Sequence, residues 1–168
     1  SELGQSGSIT IQTYDAHKDT GDVVLSTGKS LNGVAGSTYI QAGDAVSGSP
    51  GNVVVSAGSS NDVISDGGSI SVVSGGSDMR TGGVFVASHS ALGPASSGRV
   101  ALNSGNAELG SSGSLRLATG DSKGAAGEII VTAGSGARGG GVTIEAGGST
   151  QHDGGSISLL SGVGANMK

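Results

Sequence analysis

The chain has no cysteine and no tryptophan, two prolines (Pro50 and Pro94) and three aromatic residues (Tyr14, Tyr39 and Phe85) in 168 positions. Without cysteine there is no disulfide and no thiolate metal site, and an oxidising compartment is neither required nor excluded. So few rings cannot fill a wide globular core, so any core must be thin and built from aliphatic rows. The eight basic residues are scattered and the formal net charge is −5. That balance argues against a nucleic-acid surface or an anionic membrane as partner. No run of about 18 apolar residues occurs, so no membrane-spanning helix is expected. No signal-peptide pattern is visible, and Ser1 reads as the start of a processed or excised piece.

What the chain has is glycine, 35 residues of it, with 30 serines and 10 threonines. Such a composition reads as flexible low-complexity sequence only if position is ignored. Glycine shows no strict period of three, which excludes collagen. Position shows instead a pattern of eight, G-x-φ-x-φ-x-s-G, where φ is aliphatic and s small. Gly51-Asn52-Val53-Val54-Val55-Ser56-Ala57-Gly58 is an example. Copies open at Gly7, Gly21, Gly36, Gly51, Gly68, Gly82, Gly98, Gly113, Gly127, Gly140 and Gly155, spaced 13 to 17 residues apart. Of the 22 φ positions, 21 are Ile, Val or Leu, with Thr38 the exception. The small position is always Ser, Thr or Ala, and nine of eleven closing positions are Gly, the others being Tyr14 and His89.

Within each copy, positions 3, 5 and 7 point one way and positions 2, 4 and 6 the other, the alternation of a half-buried strand. The expected architecture is therefore all-β: a β-solenoid of about eleven short strands filling residues 1–168 as a single repeat array. Two strands per coil on two packed sheets fill a core better than one strand per 15-residue turn. An antiparallel meander is a third arrangement, but its connections are long for hairpins. The side chains at positions 3 and 5, from Ile9 and Ile11 to Ile157 and Leu159, are expected to form one continuous buried core. The flanking glycines are expected to supply positive φ or a tight corner.

The opening, Ser1-Glu2-Leu3-Gly4-Gln5-Ser6-Gly7, resembles the internal linker Ala107-Glu108-Leu109-Gly110-Ser111-Ser112-Gly113. Val163 to Lys168 read as the beginning of another linker. The array thus reads as a segment or unit of a longer assembly, with uncapped strand edges at Ser8, Ile9, Thr10 and Ile11 and at Ser156, Ile157, Ser158 and Leu159.

Motifs of catalysis and ligand binding are weak in this chain. Gly120-Asp121-Ser122-Lys123-Gly124 fits G-x-S-x-G, but no helix is expected after it to make a nucleophile elbow. Gly134-Ser135-Gly136-Ala137-Arg138-Gly139 fits G-x-G-x-x-G, yet it leads into another strand pattern where a dinucleotide site needs a helix N-terminus. Gly28-Lys29-Ser30 lacks the first glycine of a phosphate-binding loop, since Val23 stands there. His17, His89 and His152 form no ligand set, and the linker aspartates hold no constant register. No enzyme activity, cofactor or metal is expected. Outward positions such as Thr10/Gln12, Arg116/Ala118 and Thr143/Glu145 are too irregular to order a water lattice.

The stretches Gly67-Gly68-Ser69-Ile70-Ser71-Val72-Val73-Ser74-Gly75 and Gly154-Gly155-Ser156-Ile157-Ser158-Leu159-Leu160-Ser161-Gly162 resemble the Gly/Ser-rich β-repeats in predicted surface proteins of diatoms, brown algae and oomycetes. The resemblance implies an extracellular or cell-surface structural protein with no catalytic residues. The expected function is a fibre or surface coat whose units stack end to end by self-association, as homopolymer or tandem units. Polysaccharide or O-linked glycans form a second partner class. The alternative is a binding module: an adhesin, or a glycan- or ice-binding solenoid.

Overall fold

The computed structural model describes Gly4 and residues 6–164. The likeness of the opening to an internal linker, and the linker beginning at Val163, therefore fall largely outside the described residues. The chain divides into two units, Ser1–Val86 and Ala87–Lys168.

The all-β solenoid is not the fold of this chain. Among the described residues none lies in a strand or a helix, so the eleven strands, the two-strand coils and the packed sheets are all corrected. The buried core is corrected with them, because among the described residues no side chain, apolar or polar, is buried. The chain exposes 17610 Å², against about 7,300 Å² for a compact monomer of its mass and about 23,000 Å² for an extended one. It keeps most of its apolar surface in water. No helix of the described residues is long and apolar enough to cross a membrane.

The repeats are nevertheless visible as geometry. In Val53, Val54 and Val55 the exposure runs 54%, 82% and 71%, an alternation of period two that marks an extended backbone with two unlike sides. The same order holds in Val84, Phe85 and Val86 of the first unit, and in Ile129, Ile130 and Val131 of the second.

At five of the ten linkers a single backbone hydrogen bond forms a neck between successive repeats. In the first unit the amide of Gly51 donates to the carbonyl of Gly43 at 3.0 Å, Gly68 to Gly58 at 2.9 Å and Gly82 to Gly75 at 2.9 Å. In the second unit Gly140 donates to Gly134 at 3.0 Å and Gly155 to Gly147 at 2.8 Å. In each bond the opening glycine of one repeat is tied to the closing glycine of the repeat before it. The linker between them becomes a closed loop. Thr27 makes a related link, its hydroxyl donating to the Gly36 carbonyl at 3.1 Å.

These necks explain why the alternating pattern builds no sheet within the chain. A Cβ on the opening glycine would meet the small residue at position 7 of the preceding repeat: Ala42 across from Gly51, Ser74 from Gly82, Thr119 from Gly127, Ala133 from Gly140. Positions 1 and 7 share the side that carries the aliphatic residues, and consecutive repeats meet only at these two small positions. A strand needs a neighbour along its backbone edge, and a neck supplies one such bond and then lets the segments part. The backbone edges beyond it stay open.

The role expected of the flanking glycines is corrected too. Positive φ occurs among the described residues only at Gly48 and Gly93, both inside linkers, where an L side chain would be strained. The flanking glycines serve close approach instead. Linker turns come from side-chain caps: Ser30 accepts from the Gly33 amide, Ser77 from Met79, Ser122 from Gly124, and Ser149 from Gln151 and His152.

Candidate assembly surface

No cavity is enclosed among the described residues, and no three metal-ligating side chains come together there. The serine of the G-x-S-x-G match, Ser122, accepts the Gly124 amide at 3.0 Å as a linker cap. The glycine run from Gly134 ends in the Gly140 neck, and no helix follows it. Ser30, beside Lys29, caps its own linker through the Gly33 amide at 3.0 Å. His89 Nδ1 lies 2.8 Å from the Ser90 carbonyl oxygen, and His17, His89 and His152 are all exposed. Nothing among the described residues assembles a nucleophile, a base and a donor set into one place.

The surface that stands out is the aliphatic side of the repeats, and its cover falls along each repeat. Position 3 lies next to the opening glycine that approaches the repeat before, and is 50–60% exposed from Val23 to Ile157, apart from Thr38. Position 5 lies farther from that neck and is 67–76% exposed from Leu25 to Ile144. The opposite side, at Val24, Tyr39, Val54, Phe85 and Ile130, is 77–91% exposed. Ile9, which no earlier repeat precedes in this sequence, is 91% exposed. Position 3 therefore owes its partial cover to the repeat before it. The small residues at position 7 are covered furthest: Ala42, Ser74, Ala133 and Ala146 are, with Ser30, the least exposed of the described residues.

The expected assembly edges, Ser8, Ile9, Thr10 and Ile11 in the first unit and Ser156, Ile157, Ser158 and Leu159 in the second, are all exposed. They share this exposure with the internal repeats, since every repeat leaves its backbone edges open beyond the neck. Sequence reasoning missed the pairing of position 1 with position 7. Its signal was present: all eleven opening positions are Gly, and all eleven seventh positions are Ser, Thr or Ala.

Charge is unevenly placed on this surface. Of the 21 charged side chains, five lie inside the eight-residue repeats: Asp22 in the first unit, and Arg99, Arg116, Glu128 and Glu145 in the second. The other 16 are in linkers and ends. Residues 36–43, 51–58, 68–75 and 82–89 are four consecutive repeats without a charge, and 7–14 and 155–162 also carry none. No family model, curated protein or solved structure matches the chain.

Proposed function

We propose that this chain is a structural protein whose copies associate into a fibre or surface coat outside the cell. The observation that carries this reading is the uncovered aliphatic side: 21 Ile, Val and Leu residues at fixed positions of the repeat, none of them buried. The accessible surface exceeds that of a compact monomer by about 10,000 Å², several times the 2,000–5,000 Å² or so of an obligate interface. Apolar surface on this scale is stabilised by removal from water. Identical repeats are the surface most readily at hand to cover it. The exposed edges at Ser8 to Ile11 and Ser156 to Leu159 serve end-to-end joining. The extracellular setting rests on the resemblance of residues 67–75 and 154–162 to surface-protein repeats, and Ser/Thr-rich linkers offer sites for O-linked sugars.

The test is sedimentation and electron microscopy of the purified chain over a rising concentration series. Ordered filaments or sheets are expected above a threshold concentration. A monodisperse 15.8 kDa monomer at high concentration overturns the proposal, and a glycan-array signal from that monomer favours a binding module.

A further inference from the structure

We infer that copies of this chain pair side by side and in register through residues 36–43, 51–58 and 68–75, each repeat bonding its backbone to the same repeat of a second copy. This rests on the proposed self-association and names where and how it begins.

Open backbone is the first argument. Between necks these repeats make no backbone hydrogen bond among the described residues: the bonds of this region are Gly51 to Gly43, Gly68 to Gly58 and Gly82 to Gly75, all at the repeat ends, and Ser65 to Asp62 inside a linker. Extended segments with free donors and acceptors are templates for pairing with another chain. The cores Asn52-Val53-Val54-Val55-Ser56-Ala57 and Ser69-Ile70-Ser71-Val72-Val73-Ser74 carry no glycine, proline or charge and are rich in β-branched residues. That is the composition of segments that stack as identical strands with dry interlocking faces.

Register follows from the linkers. Those at 44–50, 59–67 and 76–81 have seven, nine and six residues. Sliding one copy by a repeat would set unequal loops against each other, whereas in-register stacking superposes loops of equal length. The neck also holds consecutive repeats together at their small ends, as Ala42 against Gly51, so a stacked copy extends every repeat at once.

Charge narrows which repeats begin the process, and residues 36–75 hold the run of uncharged repeats whose cores carry no glycine, unlike 82–89 with Gly83. In-register stacking places each side chain about 4.8 Å from its own counterpart, and like charges directly opposite are destabilising. Arg99, Arg116, Glu128 and Glu145 oppose such stacking in the second unit, while residues 36–75 meet it only in loop residues Asp44, Asp62 and Asp66, which are exposed to solvent and salt.

Val54→Pro tests this cleanly, because the Val54 amide has no partner among the described residues and its loss leaves the necks intact. In a stack that amide belongs to the ladder. Assembly of V54P should slow by about tenfold or more, with Ala118→Pro, in the repeat that carries Arg116, far closer to the parent. Filaments carrying ¹³C at the Val54 carbonyl should show a like-atom spacing of about 4.8 Å by dipolar recoupling. Filaments with unchanged growth in V54P, or a Val54 spacing well beyond that value, overturn in-register pairing and leave self-association standing. Absence of any assembly by the parent chain overturns both.

Discussion

Gly51 lies so close to Ala42 that a Cβ built on the glycine would stand 3.1 Å from the alanine Cβ and 3.4 Å from the Gly43 nitrogen. The same crowding recurs at Gly68, where the nearest atoms are Ala57 Cβ at 3.2 Å and Gly58 N at 3.2 Å. The closing glycines, Gly43 and Gly58 among them, have nothing within 4 Å of such a Cβ. One glycine of each pair is there for space.

This asymmetry is measurable. Gly51→Ala or Gly68→Ala forces backbone and small side chains apart, a strain of about 1–3 kcal/mol, whereas Gly43→Ala meets open space. Amide hydrogen exchange should show the position-51 amide losing its protection in G51A and keeping it in G43A. Equal exchange in the two variants would refute the neck as a steric device. Tyr14 and His89 at closing positions accord with the tolerance expected there.

The linker 59–67 is tied by Asp62, whose carboxylate accepts the Ile64 amide at 3.2 Å and the Ser65 hydroxyl at 3.0 Å. Each bond is worth about 0.5–1.5 kcal/mol. Asp62→Ala should therefore loosen the loop and speed exchange of the Gly68 amide severalfold, because a freer loop closes at greater entropic cost. Asp66, which makes no such bond among the described residues, is the control. Exchange at Gly68 that responds alike to D62A and D66A would assign the effect to charge.

Assembly should depend on pH and salt through net charge. The chain carries −5 at pH 7 and its isoelectric point is near 4.9. Lowering the pH toward that value removes self-repulsion, and salt at about 0.1 M cuts it to a range of about 10 Å. Filaments are expected to form faster at pH 5 than at pH 8, and the gap should narrow as salt rises. A faster rate at pH 8 in low salt would show that charge repulsion does not limit assembly.

Replacing Val53 with Asp is expected to leave the dilute chain unchanged, since Val53 is half exposed and no buried core surrounds it. Its effect should appear on association, where the charge would be desolvated between copies. Far-UV circular dichroism of dilute V53D and parent should coincide, with assembly lost only in the variant. A large spectral change at low concentration would mean that Val53 supports structure within the single chain.

The repeat, its register and the two unlike sides of each segment were legible from residue order alone. Aliphatic residues two apart between small ones dictate an alternation that the exposures of Val53, Val54 and Val55 reproduce. The same order could not decide what covers the aliphatic side. A period of two states that a face wants burial, and it is equally satisfied by a strand in the same chain, the next repeat or another molecule. Tertiary structure made that choice through the necks. Gly51 against Ala42 brings consecutive repeats together at their small ends, and beyond that point no ladder bonds of a sheet form among the described residues. It also moved the work of glycine from backbone dihedral to clearance, a distinction invisible in sequence because both uses exclude a Cβ and only the distance to the neighbouring atom tells them apart.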